Sequence, residues 1–244
     1  MQITAEEKLM YGVMKAIYDS GIPLDFKGSM VLKACLIEAG FHEEIRHTVD
    51  IDANWYSDSP PAAEQMTNFL QKALERAGID LEVSLYRMYG EGRSAGFELA
   101  DRETGDMLFT MDIDVNRPAV PTRIYEIAGI RFRGVSVDQM LADKISAVSE
   151  DKVFRRIKDV VDLYYLSQVF PFHSADIRQI LKDNGRDLGR FQGFLHRKDE
   201  LRHAYDKFRL TGDANKPPFD DVYAAVKFYI KDILPKERHR DLER

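Results

Sequence analysis

Two acidic residues, Asp50 and Asp52, have the spacing that says most about chemistry. They alternate with Val49 and Ile51, so a β-strand would direct both carboxylates to one face, about 7 Å apart. Carboxylates this close repel each other unless a cation lies between them or one binds a proton. Hard divalent ions such as Mg²⁺ prefer oxygen ligands and support in-line phosphoryl transfer. The pattern predicts a magnesium site, and the alternative is a pair of solvent-facing acids on a sheet edge.

A second acidic pair, Asp112 and Asp114, repeats this arrangement in a later apolar segment. If its strand lies beside the strand of Asp50 and Asp52, three or four carboxylates share one face of a sheet. That concentration of charge is typical of a metal site. Both residues of the second pair point the same way, so alternation does not decide which one is a direct ligand.

The dipeptide Gly28-Ser29 stands where a short extended segment passes into an apolar helical run. A helix N-terminus at this point offers free backbone N–H groups and the positive end of the helix dipole, which suit a phosphate. The surrounding spacing is not that of a P-loop. The same dipeptide also begins helices that bind nothing, so phosphate binding and simple capping are both open.

A third cluster of charged residues lies in the second half of the chain. Lys144, taken as a solvated cation, is suited to neutralising a phosphate, and its removal should cost little folding stability. Asp159 and Asp162 are three residues apart, so one helical face carries both and they can pair with nearby cations. The densest basic patch of the chain consists of Arg155, Arg156 and Lys158. The alternative interpretation of this cluster is a solvated face of ion pairs.

Hydrophobic periodicity predicts the elements that must position these residues. The predicted helices cover residues 5–20, 30–40, 62–78, 137–149, 153–168, 174–184, 190–207 and 219–233. The predicted strands cover residues 24–26, 48–55, 81–89, 94–101 and 106–115, with one more strand pair around Gly129. The fold class is therefore α+β, with one mixed sheet flanked by helices over residues 1–134 and a helical domain over residues 135–244.

Composition and charge place further limits on the protein. The 244 residues carry a formal net charge of -6, but residues 1–130 hold 12 Lys and Arg against 22 Asp and Glu, whereas residues 131–244 hold 23 against 19. This asymmetry predicts two regions with different electrostatic roles. The lone cysteine, Cys35, excludes an internal disulfide, and no apolar run is long enough to span a membrane. The sequence shows no charged-then-apolar leader of the kind that directs secretion, so we expect a cytoplasmic protein.

Three segments, taken in order, resemble the AbiEii/AbiGii family of nucleotidyltransferase-like toxins from abortive-infection and toxin–antitoxin systems. The first two are residues 26–29, Phe-Lys-Gly-Ser before an apolar helix, and residues 46–52, Arg-His-Thr-Val-Asp-Ile-Asp. The third runs from Val137 to Tyr164 and is the most specific, because a Lys-containing helix followed by Arg-x-Lys-Asp-x-x-Asp-Leu is typical of the family. The resemblance implies a polymerase-β-like nucleotidyltransferase core followed by a helical domain.

The resemblance also assigns roles at the acidic end of the sheet. It implies that Gly28 and Ser29 hold the triphosphate of an NTP, that Thr48 touches phosphate, and that Asp50 and Asp52 bind magnesium. A later strand acid would complete the catalytic triad; the family pattern favours Asp114 over Asp112.

In the helical half, Lys144 and Asp159 match a lysine and an aspartate that family members need for activity. The resemblance further implies transfer of a nucleotide to the acceptor end of tRNA and control by a separate antitoxin protein. The basic patch at Arg155, Arg156 and Lys158 would then contact the RNA. Two alternatives stay open: transfer to a small molecule or a protein side chain, and an inactive nucleotide-binding or interaction module on the same fold.

One departure from the family pattern concerns spacing. Twenty residues separate Ser29 from Asp50, which is longer than usual in the superfamily. The insertion is placed at residues 38–46, where we expect it to lengthen the helix that follows Ser29 and to add a turn.

Overall fold

The computed structural model describes residues 3–57, 59–90, 94–115, 119–209 and 216–235. These residues form two compact units that divide between Met140 and Leu141, inside a helix. The first unit holds the sheet and the second is helical, and the boundary predicted at residues 134 and 135 stays a prediction. The charged tail over residues 236–244 lies outside the described residues.

The first unit contains a seven-stranded mixed sheet. In chain order its elements are α1 (Ala5–Asp19), β1 (Leu24–Lys27), α2 (Gly28–Glu38), β2 (Asp50–Trp55), α3 (Ala63–Arg76), β3 (Leu81–Tyr89), β4 (Ser94–Asp101), β5 (Met107–Asp114), β6 (Thr122–Ile127) and β7 (Ile130–Val135). Helices α1, α2 and α3 precede the third strand in the chain. The predicted α+β class with one mixed sheet is confirmed.

The strands lie in the order β3-β4-β5-β2-β1-β7-β6. Strands β3, β4 and β5 form a meander that is antiparallel throughout. Strand β5 then pairs in parallel with β2, and β1 pairs in parallel with β7. The two acid-bearing strands, β2 and β5, are therefore neighbours in the middle of the sheet.

Alternation along the strands separates an apolar face from a polar one. In β5, Phe109, Met111 and Ile113 are buried, whereas the residues between them are partly exposed. Aromatic stacking strengthens the core, since Phe132 of β7 lies 5.7 Å from Tyr11 of α1 between ring centres. Burial of each large apolar side chain stabilises the fold by about 1.5–3 kcal/mol, so the apolar face fixes the register and leaves the polar face to carry chemistry.

The long spacing between Ser29 and Asp50 does not lengthen the second helix, so that expectation is wrong. Helix α2 ends at Glu38, and Gly40 follows with φ of 79°. Glycine adopts this left-handed conformation without steric cost, and it is the usual way to terminate a helix. Residues 41–49 form no helix or strand, although the buried Ile45 anchors them to the core.

The second unit begins in helix α4 (Val137–Ser149), whose first residues belong to the first unit. A short 3-10 turn over Val153–Arg155 follows. The remaining helices are α5 (Ile157–Ser167), α6 (Ser174–Asp183), α7 (Gln192–His196), α8 (Lys198–Lys207) and α9 (Phe219–Tyr229). Over the described ranges, no helix is long and apolar enough to cross a lipid bilayer.

Two helices predicted as continuous are interrupted in the structure. The helix over residues 153–168 breaks at Arg156, and the helix over residues 190–207 breaks at Arg197. Arg197 has φ of -119° and ψ of 43°, outside the helical region, and its guanidinium reaches the carbonyl of Asp151 at 3.4 Å. Tertiary contacts of this kind override the local helical pattern.

Candidate active site

The register of β2 and β5 brings the two acidic pairs to one face of the sheet. Asp52 lies directly opposite Asp112, and Asp50 lies opposite Thr110. Asp114 lies opposite Asn54 rather than an acid. Because side chains that face each other across neighbouring strands lie on the same side, four carboxylates share the polar face at its centre.

Gly28, the first residue of α2, lies against the carboxylate of Asp52. Its φ is 71°, and a Cβ added here would collide with the Asp52 side chain. Glycine is required for two reasons: other residues rarely adopt a positive φ, and this position has no room for a side chain. The start of α2 therefore borders the acids, with the positive end of its helix dipole beside them.

A chain of hydroxyl groups connects α2 to the first acid. The Oγ of Ser29 donates to Oγ1 of Thr48 at 2.5 Å, and Thr48 donates to Oδ1 of Asp50 at 2.6 Å. Ser29 and Thr48 are both buried, at 8% and 5% exposure. Their hydroxyls thus fix the rotamer of Asp50, and their predicted contact with phosphate stays a prediction.

Cations from two other strands pair with the acids of β5. Lys27 Nζ lies 2.6 Å from Oδ2 of Asp114 and 2.7 Å from Oδ1 of Asn54. On the other side, Arg87 Nη2 donates to Oδ2 of Asp112 at 2.5 Å. The negative charge of this face is partly compensated from both directions.

The surroundings of Asp52 strongly perturb its carboxyl group. Burial raises its pKa to about 6, and the charges of Asp50, Asp112 and Asp114 add to this effect against the opposing charge of Lys27. A carboxyl group destabilised in its ionised form gains from a nearby cation. The same negative surroundings reach Tyr89 of β3, whose hydroxyl pKa is raised first by burial and then by Asp114 and Asp112.

The donor set of this face fits a hard divalent cation. Oδ1 of Asp112 is buried and accepts no hydrogen bond from the described residues, and the carboxylates around it are oxygen donors. Within the described ranges, no three His, Cys, Asp or Glu side chains come close enough together to hold a metal ion. Mg²⁺ is commonly bound by one or two carboxylates together with substrate phosphates and water, so a cage made only of protein groups is not required.

Lys144 forms a buried ion-pair cluster within the second unit. Its Nζ lies 2.6 Å from Oδ2 of Asp162 and 3.4 Å from Oδ1 of Asp159, and Arg156 Nε lies 3.0 Å from Oδ2 of Asp159. The side chains of Lys144 and Asp162 are only 9% and 1% exposed. The expectation that Lys144 is solvated is wrong. Because removing one partner of a buried pair leaves an uncompensated charge, we expect the loss of Lys144 to destabilise the fold.

The predicted basic patch lines a groove of about 370 Å³ in the second unit. Arg155, Arg156 and Lys158 share it with three residues that the sequence did not single out, namely Phe154, Lys207 and Phe208. The groove thus combines four cationic side chains with two aromatic ones and one acid, Asp159, which pairs with Arg156. Cationic and aromatic side chains together are typical of surfaces that bind single-stranded nucleic acid.

Sequence reasoning missed several residues of the acidic face. Lys27 directly precedes Gly28-Ser29, the dipeptide considered for phosphate binding. This position could have indicated that Lys27 belongs to the site. Arg87 and Gly96 gave none, because only the pairing of β3, β4 and β5 places them in line with Asp112. A Cβ on Gly96 would lie 2.8 Å from Oδ1 of Asp112, so this glycine leaves room for Arg87 to reach the acid.

Comparison with known proteins gives a family and a fold. A family model described as nucleotidyl transferase AbiEii toxin, type IV toxin–antitoxin system, matches residues 15–225. Among curated protein sequences, none is similar enough to count as a match. Of the solved structures, the toxin MenT4 from Mycobacterium tuberculosis H37Rv, a nucleotidyltransferase, aligns with 92% of this chain and 81% of its own, at a TM-score of 0.58 and 16% identity. A nucleotidyltransferase-like antigenic protein from Paracoccidioides brasiliensis aligns with 82% of this chain and 92% of its own, at a TM-score of 0.47 and 17% identity.

Proposed function

The chain belongs to the AbiEii family of nucleotidyltransferase toxins from type IV toxin–antitoxin systems, and on that premise we propose that it transfers a nucleotide from an NTP to an RNA acceptor with the help of Mg²⁺. The acceptor is the 3′ end of tRNA, and a cognate antitoxin is the protein partner. The observation that carries the proposal is the register that sets Asp52 opposite Asp112 with Gly28 against Asp52.

Each part of the acidic face has a role in this proposal. The backbone N–H groups at the start of α2, at Gly28 and Ser29, bind the triphosphate, and Thr48 keeps Asp50 in place for it. Asp50 and Asp52 hold the metal. When bound, the metal neutralises the triphosphate and lowers the pKa of the attacking hydroxyl.

For the third acid, the register favours Asp112 over Asp114. Asp112 is the direct neighbour of Asp52, whereas Asp114 faces Asn54 and pairs with Lys27. An acid beside Asp52 is placed to accept the proton of the acceptor hydroxyl. The family pattern instead predicts Asp114, and separate Asp112→Asn and Asp114→Asn variants decide between the two.

The groove around Arg155, Arg156 and Lys158 supports RNA as the acceptor. Its four cations, which include Lys207, suit a phosphate backbone, and Phe154 and Phe208 offer rings on which bases stack. A small-molecule acceptor would need neither the charge nor the aromatic rings. Lys144 and Asp159 are needed for activity in this proposal.

The test is direct labelling. The purified protein is incubated with Mg²⁺, total tRNA and each radiolabelled NTP in turn, and the RNA is separated on a denaturing gel. We expect label in tRNA with one or more NTPs, loss of label with EDTA, and loss by orders of magnitude in Asp50→Asn and Asp52→Asn. Wild-type protein that labels no RNA with any NTP would overturn the proposal.

A cellular readout complements the labelling. Expression of the wild-type chain without an antitoxin should arrest growth, and Asp50→Asn or Asp52→Asn should relieve the arrest while the protein stays folded. If both variants arrest growth as strongly as wild type, the toxicity comes from binding or aggregation and not from nucleotide transfer.

A further inference from the structure

Three side chains of the edge strand β3 form a cation–aromatic stack beside the acids. The guanidinium carbon of Arg87 lies 5.0 Å from the ring centre of Tyr86 and 5.4 Å from that of Tyr89. Tyr86 is 40% exposed and the side chain of Arg87 is 50% exposed. Tyrosine and arginine are enriched among the residues that dominate binding interfaces. We refer to Tyr86, Arg87 and Tyr89 as the β3 stack.

A β-bulge creates this arrangement. The pairing of β3 with β4 shifts between Leu85 and Arg87, which leaves Tyr86 as an extra residue. Strict alternation would put Tyr86 on the face opposite to Arg87. A Cβ on Gly96 would lie 2.6 Å from Cε1 of Tyr86 and 2.9 Å from Cγ of Arg87, so both side chains lie over the same glycine. Bulges are common next to active sites, where they redirect a side chain.

The β3 stack and the start of α2 lie on opposite sides of the acids. From β1, which leads into Gly28, the sheet continues through β2 with Asp52, β5 with Asp112 and β4 with Gly96 before it reaches β3. Neighbouring strands are about 4.8 Å apart, so β3 is about 14 Å from β2. The ion pair between Arg87 and Asp112 joins the stack directly to the acids.

This placement matters because attacking and leaving oxygens lie roughly in line during phosphoryl transfer. A triphosphate bound at Gly28-Ser29 places the leaving pyrophosphate on the α2 side of the acids. The attacking hydroxyl then comes from the side of β5, β4 and β3. The β3 stack is the exposed aromatic surface that the acceptor would meet there.

From this geometry we propose that the β3 stack binds the 3′-terminal nucleotide of a single-stranded RNA acceptor; this inference rests on the nucleotide transfer proposed above. A terminal base stacks on the rings of Tyr86 and Tyr89, as bases do on aromatic and guanidinium planes. Arg87 exchanges its ion pair with Asp112 for a charge-assisted hydrogen bond to the terminal phosphate. That exchange frees the carboxylate of Asp112 at the moment when the acceptor hydroxyl is in place.

The experiment compares two short single-stranded RNAs with a fluorescent label at the 5′ end. They differ only in the last nucleotide, which carries a base in one and is abasic in the other. Binding to the full chain is measured by anisotropy in Mg²⁺ without NTP. Because stacking is worth a factor of about 5 to 150 per base, wild type should bind the base-bearing strand about 10-fold more tightly. In the double variant Tyr86→Leu, Tyr89→Leu the ratio should fall to about 1, whereas Tyr86→Phe should preserve it.

Two control variants replace exposed apolar side chains that are not part of the β3 stack. Met88→Leu changes the same edge strand, where Met88 is 55% exposed, and Phe228→Leu removes a ring that is 71% exposed on α9. Both should keep the wild-type ratio. A ratio near 1 in wild type, or an unchanged ratio in the double leucine variant, would overturn the inference and leave this face to another partner such as a protein strand.

Labelling by the same preparations separates this outcome from failure of the proposed function. If the wild-type chain transfers nucleotides but the double leucine variant keeps the wild-type KM for RNA, only the inference fails. If no NTP yields labelled RNA, the proposed function fails whatever the binding ratio. The supporting result is a KM for RNA raised about 10-fold with an unchanged KM for NTP.

Discussion

Replacement of Asp52 by asparagine should stabilise the metal-free protein at neutral pH. Asp52 is partly buried, and its pKa is raised from 3.8 to about 6 by burial and by the neighbouring acids. Each unit of pKa difference corresponds to about 1.4 kcal/mol, so the ionised group costs the fold up to about 3 kcal/mol at pH 8. Asparagine keeps the shape and removes the charge, so Asp52→Asn should recover much of this free energy.

The pH dependence gives the sign of the effect. Because the folded protein binds the proton of Asp52 more tightly than the unfolded chain does, the wild-type free energy of unfolding falls as pH rises from about 4 to about 6. Above that window the destabilisation is complete, and below it there is none. The gain from Asp52→Asn should therefore be near its maximum at pH 8 and should vanish near pH 4. Urea unfolding of wild type and Asp52→Asn at several pH values in EDTA measures the wild-type pH dependence and the gain in stability.

A matched control is Asp80→Asn, whose side chain is 77% exposed and whose replacement should change stability by less than about 0.5 kcal/mol. Added Mg²⁺ should stabilise wild type more than Asp52→Asn, because a ligand that binds the folded state raises its stability by mass action. An Asp52→Asn protein that is no more stable than wild type at pH 8, or whose gain is the same at pH 4, would refute the reasoning.

Three further predictions concern other parts of the molecule. Lys144→Ala should destabilise the fold by about 3–5 kcal/mol, because Asp162 then keeps a buried charge without Lys144 beside it. Thermal unfolding measures this loss. The double variant Lys144→Met, Asp162→Leu should recover most of it. Gly28→Ala should lower the stability by about 1–3 kcal/mol and remove most of the activity, since φ is 71° and Asp52 occupies the space of a Cβ. Its control is Gly12→Ala in α1, where a Cβ meets nothing within 4 Å, and this variant should raise the stability by about 0.5–1 kcal/mol. Lys158→Ala should lower the slope of log affinity for RNA against log salt concentration by about 0.7–0.9.

Each of these has a result that would count against it. A stable Lys144→Ala protein would show that the ion pair with Asp162 is dispensable for folding. Equal effects of alanine at Gly28 and Gly12 would remove the steric argument at Asp52. For the RNA-binding groove, Lys182→Ala on α6 is the control, and the same salt slope in both lysine variants would mean that binding does not use the groove.

Local pattern was sufficient for most of the helices and strands and for placing the four acids on two strands. Period-two alternation around Asp50, Asp52, Asp112 and Asp114 predicted two strands with acids on one face, because successive side chains of a strand point in opposite directions. The dipeptide Gly28-Ser29 marked the passage from strand to helix, and Gly129 marked a strand pair. These features depend on residues close together in the chain, so single-sequence periodicity captures them.

Features that depend on residues far apart in the chain needed the folded structure. No local pattern indicates that β5 lies beside β2 in parallel, that Asp112 faces Asp52, or that Arg87 reaches across Gly96. The same holds for Lys144, which local pattern represents as one more surface cation and which tertiary packing buries against Asp162. Strand order, register and burial come from the collective packing of the apolar face, whose free energy is shared by the whole sheet and belongs to no short segment.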